Sequence, residues 1–293
     1  MIRILIIIPD KVSLRINNKA KGKMIESKDR QGRISKVFEE LKKEDRKAFI
    51  PFITCGFPDF DGTLKLFEVL DGCGADIIEI GIPFSDPLAD GSIIQKTSKI
   101  ALDSGMNTDT VFETVRTIRK TSSTPIVLLV YFNTIYAYGV ERFLSSAKRS
   151  GVDGTIIPDL PLEEFNKYRT LFDSSNIDNI MIASLTSGRE RLVDIAAAGR
   201  GFIYCVSLKG VTGIRARLSD EVSDFLETLR SVTDLPLALG FGLSTADQVG
   251  QIKDRCDGII MGSKILDIIL GAEDINKGLE ELEKFCRGII KEL

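Results

Sequence analysis

The chain has 293 residues, a length that suits a single α/β barrel, with 43% hydrophobic and 28% charged residues. A net charge of −3 gives no indication of a nucleic-acid partner. The five cysteines are scattered without a CxxC pair, so they indicate neither a zinc site nor a disulfide framework. This cysteine pattern favours a reduced, cytoplasmic setting. The absence of histidine excludes imidazole mechanisms and histidine-ligated metals, so acid–base chemistry would fall to carboxylates, tyrosine, lysine or cysteine.

The first 33 residues differ in composition from the rest, being rich in lysine, arginine and asparagine. The apolar run at 4–8 is too short to span a membrane and lacks a small-residue cleavage site. A transit peptide is an alternative that the small number of acidic residues favours and the scarcity of serine disfavours. We therefore predict that residues 1–33 form a poorly ordered basic extension, or precede a true start nearer Met24, and that 34–293 form one domain.

From residue 34 onward, short β-branched apolar runs alternate with helical patterns, which predicts βα units around a parallel sheet. Eight such units predict a (β/α)8 TIM barrel. A doubly wound sheet is the alternative, but no GxGxxG turn follows the first strand. The predicted strands are 48–54, 75–81, 125–130, 153–158, 179–184, 201–207, 235–240 and 257–261. The predicted helices between and after them are 61–72, 92–104, 110–120, 140–150, 162–174, 188–198, 218–231, 245–254, 263–270 and 273–292.

An extra helix is predicted before the first strand. Ile34, Val37, Phe38 and Leu41 follow the i, i+3, i+4, i+7 spacing of an amphipathic helix, with Ser35 as an early cap. This helix would cover the bottom of the barrel.

The second strand carries a glutamate among isoleucines, in the stretch IIEIGIPFSDPLADG at 77–91. Strand alternation puts Ile78 and Ile80 on one face and Ile77 and Glu79 on the other. Glu79 would then point into the barrel near its mouth, where burial raises the pKa of a carboxyl and suits it to proton transfer. The alternative is a structural ion pair with a nearby lysine or arginine.

The loop that follows holds two aspartates and two prolines, and the prolines restrict its conformation. Asp90 precedes Gly91, Ser92 and an apolar helical run, so the local pattern favours a helix N-cap. Asp86 before Pro87 is typical of a plain turn.

Glycines follow the last two strands, in GFG at 240–242 and GS at 262–263. Together they favour a phosphate site at the start of a short helix, with tight turns as the alternative. The segment 207–221 has the composition of a mobile lid or of an ordinary surface loop. Tyr204, in the strand before it, is taken locally for a core aromatic residue.

From about residue 34 to 290 the sequence resembles the tryptophan synthase α-subunit family. The resemblance is carried by FIPFITCGFPD (49–59), EIGIPFSDPLADG (79–91), YFN (131–133), PDLPLEE (158–164), GVTG (210–213), GFG and GS. It implies a (β/α)8 barrel and a retro-aldol cleavage of indole-3-glycerol phosphate to indole and glyceraldehyde 3-phosphate.

The resemblance also implies roles for individual residues. Glu79 matches the family's general acid–base, and Asp90 matches the carboxylate that interacts with the indole N–H. The positions that match substrate-binding residues are Phe52, Leu129, Tyr204, Thr212, Gly213, Gly242, Gly262 and Ser263, of which the glycines and Ser263 match phosphate contacts. No metal is implied.

The family's α subunit docks on a β subunit that carries pyridoxal phosphate, in an α2β2 heterotetramer, while the α chain itself holds no cofactor. Asp86, Pro87, Asn133 and Pro161 match positions at or near that interface. Two departures from the family are Leu208, where many members carry arginine, and Pro158, where some carry a small residue.

Three other functions are compatible with parts of the sequence. A stand-alone lyase that releases free indole would look nearly the same. A non-catalytic barrel that only activates a β subunit is disfavoured because both carboxylates are present. Another phosphate-binding barrel, such as a sugar-phosphate isomerase or epimerase, fits the glycines but not EIGIPFSDPLADG.

Overall fold

A computed structural model describes residues 32–206, 220–240 and 242–293 of the chain. Eight parallel strands pair in chain order, and the last pairs with the first, so that the sheet closes into a barrel. This closure confirms the predicted (β/α)8 barrel and excludes a doubly wound sheet. The strands are β1 (Ala48–Thr54), β2 (Ile78–Gly81), β3 (Ile126–Leu129), β4 (Gly154–Ile156), β5 (Asp178–Ser184), β6 (Ile203–Val206), β7 (Leu237–Gly240) and β8 (Gly258–Met261).

The described residues also form twelve α-helices and a short 3-10 helix at Lys253–Arg255. Most bounds lie within two residues of those predicted, but the helix that follows β3 was not predicted. The helices are α1 (Arg33–Lys43), α2 (Phe60–Cys73), α3 (Ser92–Asp103), α4 (Thr108–Ile118), α5 (Phe132–Tyr138), α6 (Val140–Ser150), α7 (Leu162–Ser175), α8 (Arg189–Ala198), α9 (Asp220–Arg230), α10 (Ala246–Ile252), α11 (Ser263–Gly271) and α12 (Ile275–Ile290).

Two layers of apolar side chains hold the barrel together. Ile78 and Ile80 of β2 belong to the layer between the strands and the helices, together with Leu66 and Leu70 of α2. Ile77 belongs to the smaller cluster inside the barrel. Strands buried on both faces carry nearly continuous apolar runs, which is why the strands were recognisable in the sequence.

The N-terminal helix α1 covers the bottom of the barrel, as predicted. Ile34, Phe38 and Leu41 are buried and cluster with interior residues near the amino ends of the strands, and the Phe38 and Phe202 ring centroids are 5.8 Å apart. The predicted cap was wrong, because α1 begins at Arg33 and its N-cap residue is Gly32, which places Ser35 inside the helix.

Residues 1–31 lie outside the described residues. The poorly ordered extension predicted for residues 1–33 therefore stays a prediction for residues 1–31. Within the described part of the chain, no helix combines the length and apolarity needed to cross a membrane.

We expect Ile34→Ala to lower the free energy of unfolding by about 2–5 kcal/mol, the range found when a fully buried large aliphatic side chain is truncated. Ile34 is 0% exposed inside the barrel floor. Urea unfolding followed by circular dichroism measures the change, and Lys36→Ala, on the exposed side of the same helix, is the matched control. Equal stability of the two variants would show that α1 does not contribute to the barrel core.

Candidate active site

A cavity of about 630 Å³ opens at the carboxyl ends of the strands, the end at which barrel enzymes carry their active sites. It brings together residues that lie far apart in the sequence. The predicted site residues that line it are Phe52, Glu79, Asp90, Leu129, Tyr204, Gly242, Gly262 and Ser263. A neighbouring cavity of about 370 Å³ contains neither Glu79 nor Asp90.

Glu79 points into the barrel from β2, as strand alternation predicted. In the ladder it lies opposite Phe52 of β1 and Val127 of β3. Its side chain is 0% exposed, and neither carboxyl oxygen has a hydrogen-bond partner among the described residues. Burial alone raises the pKa of Glu79 to about 8. The structural ion pair considered above would have required a partner at this carboxyl, and none of the described residues supplies one.

Asp90 is not the N-cap of the following helix, as its local pattern had favoured. Helix α3 begins at Ser92, and its N-cap residue is Gly91, which offers no side-chain hydrogen bond. The Asp90 carboxyl faces the cavity instead. Burial raises its pKa to about 6, and a hydrogen bond from the Tyr131 hydroxyl opposes that rise.

Tyr131 fixes the loop that carries Asp90, a role that sequence reasoning missed. Its ring is buried and stacks on Phe84, with centroids 5.1 Å apart. Its hydroxyl oxygen accepts a hydrogen bond from the Ala89 N–H at 3.1 Å, while the same hydroxyl donates to the Asp90 carboxylate. The only signal in the sequence was a tyrosine directly after the third strand, in the YFN motif.

Tyr204 lies in the barrel interior and borders the cavity, so it is more than a core aromatic residue. Burial, and after it the carboxyl groups of Glu79 and Asp90, raise its pKa well above the usual range, which keeps the phenol protonated. The tyrosine fits only because residue 240 is a glycine. A Cβ at position 240 would stand 2.6 Å from the Tyr204 hydroxyl oxygen.

Two further glycines make room for Phe52 in the same way. A Cβ at Gly81 would lie 2.6 Å from the Phe52 ring, and one at Gly262 would lie 3.1 Å from it. Gly242, by contrast, has a φ of +65°, so a turn requires glycine there. Gly242 is therefore a turn glycine, as the alternative interpretation of the GFG motif had it. The same residue also lines the cavity.

The end of the cavity at β7 and β8 is formed by backbone and small side chains. Helix α11 begins at Ser263, and no side chain caps its N-terminus at Gly262. Uncapped amides at a helix start attract anions, because the helix dipole is positive there. Gly213, predicted to contribute to this end, and Thr212, predicted to bind the substrate, lie outside the described residues, as do Leu208 and the greater part of the 207–221 segment.

The predicted interface residues lie on loops and helix starts that follow three adjacent strands, β2, β3 and β4. Asp86, Asn133 and Pro161 are exposed, and Pro87 is half-buried. Two exposed apolar side chains occur in the same segments, Leu88 at 96% and Tyr136 at 65% exposure. We call the surface formed by these loops and helix starts, with Leu88 and Tyr136, the exposed rim. As for metals, the described residues contain no group of three or more acidic or cysteine side chains placed to hold an ion.

Comparison with known proteins identifies the family of the chain. The family model for the tryptophan synthase alpha chain matches residues 38–293. The chain belongs to the tryptophan synthase alpha chain family. It is therefore an alpha chain of tryptophan biosynthesis and a lyase, and the family implies a beta-subunit partner.

Individual relatives show how far the similarity extends. The tryptophan synthase alpha chain of Clostridium kluyveri is 44% identical over 261 residues, which cover 89% of this chain and 99% of that protein. The alpha chain of Caldanaerobacter subterraneus subsp. tengcongensis is 44% identical over 253 residues, covering 86% and 96%. The crystal structure of the subunit from Legionella pneumophila superposes with a TM-score of 0.83 at 33% identity, covering 89% of this chain and 98% of that one.

We expect Tyr131→Phe to raise the pKa of Asp90 above its value of about 6, because the variant removes the hydrogen bond that stabilises the ionised carboxylate. Carbon-13 NMR titration of the aspartate carboxyl groups measures this, with a rise of about one unit expected from the loss of one such bond. The matched control is Tyr136→Phe, on the exposed face of α5. An unchanged Asp90 midpoint would show that Tyr131 does not hold this carboxylate.

Proposed function

We propose that this chain cleaves indole-3-glycerol phosphate to indole and glyceraldehyde 3-phosphate. The observation that carries the proposal is a pair of unlike carboxyl groups in one cavity. Glu79 is buried with a pKa of about 8, whereas Asp90, hydrogen-bonded to Tyr131, has a pKa of about 6. Near neutral pH one is an acid and the other a carboxylate, which is the division of roles that this cleavage needs.

The reaction then follows from proton transfers alone. The Glu79 carboxylic acid protonates the indole ring carbon that bears the glycerol chain, and the positive charge passes to the ring nitrogen. The Asp90 carboxylate stabilises that charge by accepting the ring N–H hydrogen bond. The Glu79 carboxylate next removes the proton of the adjacent side-chain hydroxyl. The carbon–carbon bond breaks, its electron pair returns to the ring, and the side chain leaves as an aldehyde.

The shape of the cavity supports this substrate. Phe52 and Leu129 give apolar walls for the indole ring, while Gly242, Gly262 and Ser263 form the end suited to the phosphate. Tyr204 borders the space beside the two carboxyl groups with its hydroxyl protonated, so that it can donate a hydrogen bond to the glycerol chain. Gly213 is expected to bind the phosphate as well, and Thr212 to bind the substrate.

The proposal extends to the assembly and its location. The exposed rim around Asn133 and Tyr136 supports docking on the beta subunit, in an α2β2 heterotetramer whose pyridoxal phosphate belongs to the beta chains. The alpha chain needs no cofactor in this mechanism, because no step requires an electron sink beyond the protonated indole itself. A cytoplasmic location is supported by five buried cysteines that are all free thiols.

The stand-alone lyase remains the second candidate function, since its cavity would carry the same carboxyl pair. A barrel that only activates its partner is disfavoured, because a fully buried carboxyl without a described partner costs stability and serves no purpose in a non-catalytic protein. The apolar rim favours the subunit over the stand-alone enzyme.

We expect kcat/KM for indole release by the purified chain to be bell-shaped in pH, with limbs near 6 and 8. The carboxylate form of Asp90 is lost as the pH falls through about 6, and the acid form of Glu79 is lost as the pH rises through about 8. Absorbance or fluorescence of released indole gives the profile.

Two variants serve as controls for this profile. Glu79→Gln should lower kcat at least about 100-fold while leaving substrate binding intact, as expected when a general acid is removed. Asp90→Asn should also lower kcat and abolish the limb near pH 6, with α3 still folded. Near-normal turnover by Glu79→Gln would overturn the acid–base assignment.

We expect Tyr136→Ala to weaken binding of the cognate beta subunit about tenfold or more, because exposed aromatic side chains at interfaces contribute strongly to affinity. Tyr136 does not line the cavity, so indole release by the isolated alpha chain should stay unchanged. Isothermal titration calorimetry measures the binding. Val193→Ala, which changes an exposed apolar residue on α8, is the control.

The wild-type chain distinguishes the two candidate functions. Strong stimulation of its indole release by the beta subunit would favour the subunit function, and no stimulation would favour the stand-alone lyase.

A further inference from the structure

One side chain at the phosphate end of the cavity has no role in the mechanism above. Lys264 is the second residue of α11 and lines the same cavity as Gly242 and Gly262. Its side chain is 35% exposed, and its Nζ lies 3.7 Å from Asp267 Oδ2. The fully buried, partnerless Glu79 in the same cavity independently marks this space as one built for a ligand.

The charges around the cavity are unbalanced for an anionic ligand. The described residues that line it include three carboxyl groups, those of Glu79, Asp90 and Asp267, and a single cationic side chain, that of Lys264. Glu79 is protonated near neutral pH, so a phosphate dianion that enters this space is repelled by the carboxylates of Asp90 and Asp267. Lys264 is the only described lining residue that can oppose the repulsion with a full positive charge.

The position of Lys264 in its helix is also unfavourable without an anion. The first turn of a helix is the positive end of its dipole, where acidic residues are stabilising and basic ones are not. Helix α11 has no acidic residue in its first turn, yet it carries a lysine there. Asp267 lies three residues further on, and its half-exposed ion pair with Lys264 is long, so it compensates only weakly.

We propose that Lys264 is a specificity-determining residue for the phosphate group of the substrate. Its ammonium exchanges the ion pair with Asp267 for one with the phosphate, which the backbone amides at the start of α11 bind at the same time. The bound dianion then satisfies both the lysine and the helix dipole. This inference rests on the proposed function for the identity of the substrate, but the binding of phosphate itself can be tested without turnover.

The test compares Lys264→Ala, Lys264→Arg, Asp267→Asn and the double variant Lys264→Ala/Asp267→Asn. For indole-3-glycerol phosphate we expect Lys264→Ala to raise KM about tenfold with kcat nearly unchanged, the effect of losing one partly exposed charge-assisted contact. Lys264→Arg should retain most of the affinity. The phosphate-free substrate indole-3-glycerol should show no change in kcat/KM. Lys99→Ala is the matched control, because Lys99 forms an exposed helical pair with Asp103 on α3.

The double variant separates a phosphate contact from mere neutralisation of Asp267. If Lys264 binds phosphate, the double variant should keep a KM about tenfold above that of Asp267→Asn. Equal KM values for these two variants would overturn the proposal, as would a KM for Lys264→Ala within about twofold of the wild-type value.

Direct binding distinguishes a failure of this inference from a failure of the proposed reaction. Inorganic phosphate is titrated into the wild type and Lys264→Ala, with phosphorus-31 NMR as the readout, and we expect about tenfold weaker binding by the variant. Weaker phosphate binding in a chain that releases no indole would support the Lys264 contact and overturn the reaction. Normal indole release with unchanged phosphate binding would overturn the contact alone.

Discussion

The desolvation of one carboxyl group is the constraint on which the rest of the site depends. Glu79 is 0% exposed between Phe52 and Val127 in a closed ladder and has no hydrogen-bond partner among the described residues. A charge is so costly there that the group keeps its proton to about pH 8. Below it the barrel interior is filled by apolar side chains, with Ile34 and Phe38 of α1 in the same interior cluster.

The walls of the cavity depend on residues that have no side chain. Phe52 and Tyr204 are large rings at the mouth, and each occupies space that a Cβ on a neighbouring strand end would fill. Gly81 and Gly262 leave that space to Phe52, and Gly240 leaves it to Tyr204. Because protein interiors are close-packed, an alanine at any of the three would displace a ring that borders the cavity. These glycines shape the apolar part of the site, whereas Gly242 serves the backbone turn.

Much of the fold was predictable from the sequence. A strand that is buried on both faces has a continuous apolar run, and a helix with one buried face has apolar residues at a period of 3.6. The position of Glu79 followed from alternation along one strand. Helix α5 escaped prediction because its seven residues are too few to show a period. The family resemblance, and no local pattern, pointed to Asp90 as a functional carboxylate.

The rest of the site could not be predicted because it depends on contacts between distant segments. Asp90 has the local sequence of a helix cap, and only the start of α3 at Ser92 shows that Gly91 holds the N-cap position. Tyr131 lies 42 residues from Ala89, and its hydroxyl oxygen accepts a hydrogen bond from the Ala89 N–H. The local sequence of neither segment predicts this contact. The raised pKa values have the same origin, since burial is a property of the assembled barrel.

The loop between β2 and α3 runs from an exposed tip to the cavity at the mouth of the barrel. Its tip is exposed at Asp86 and Leu88, while Asp90 at its end lines the cavity. Pro83 and Pro87 reduce the conformations open to it, and the stacked rings of Phe84 and Tyr131 tie it to the end of β3. The Tyr131 hydroxyl holds both the Ala89 amide and the Asp90 carboxylate. The exposed tip and the Asp90 carboxyl therefore share one contact residue, since the hydroxyl that binds the Ala89 amide also lowers the pKa of Asp90.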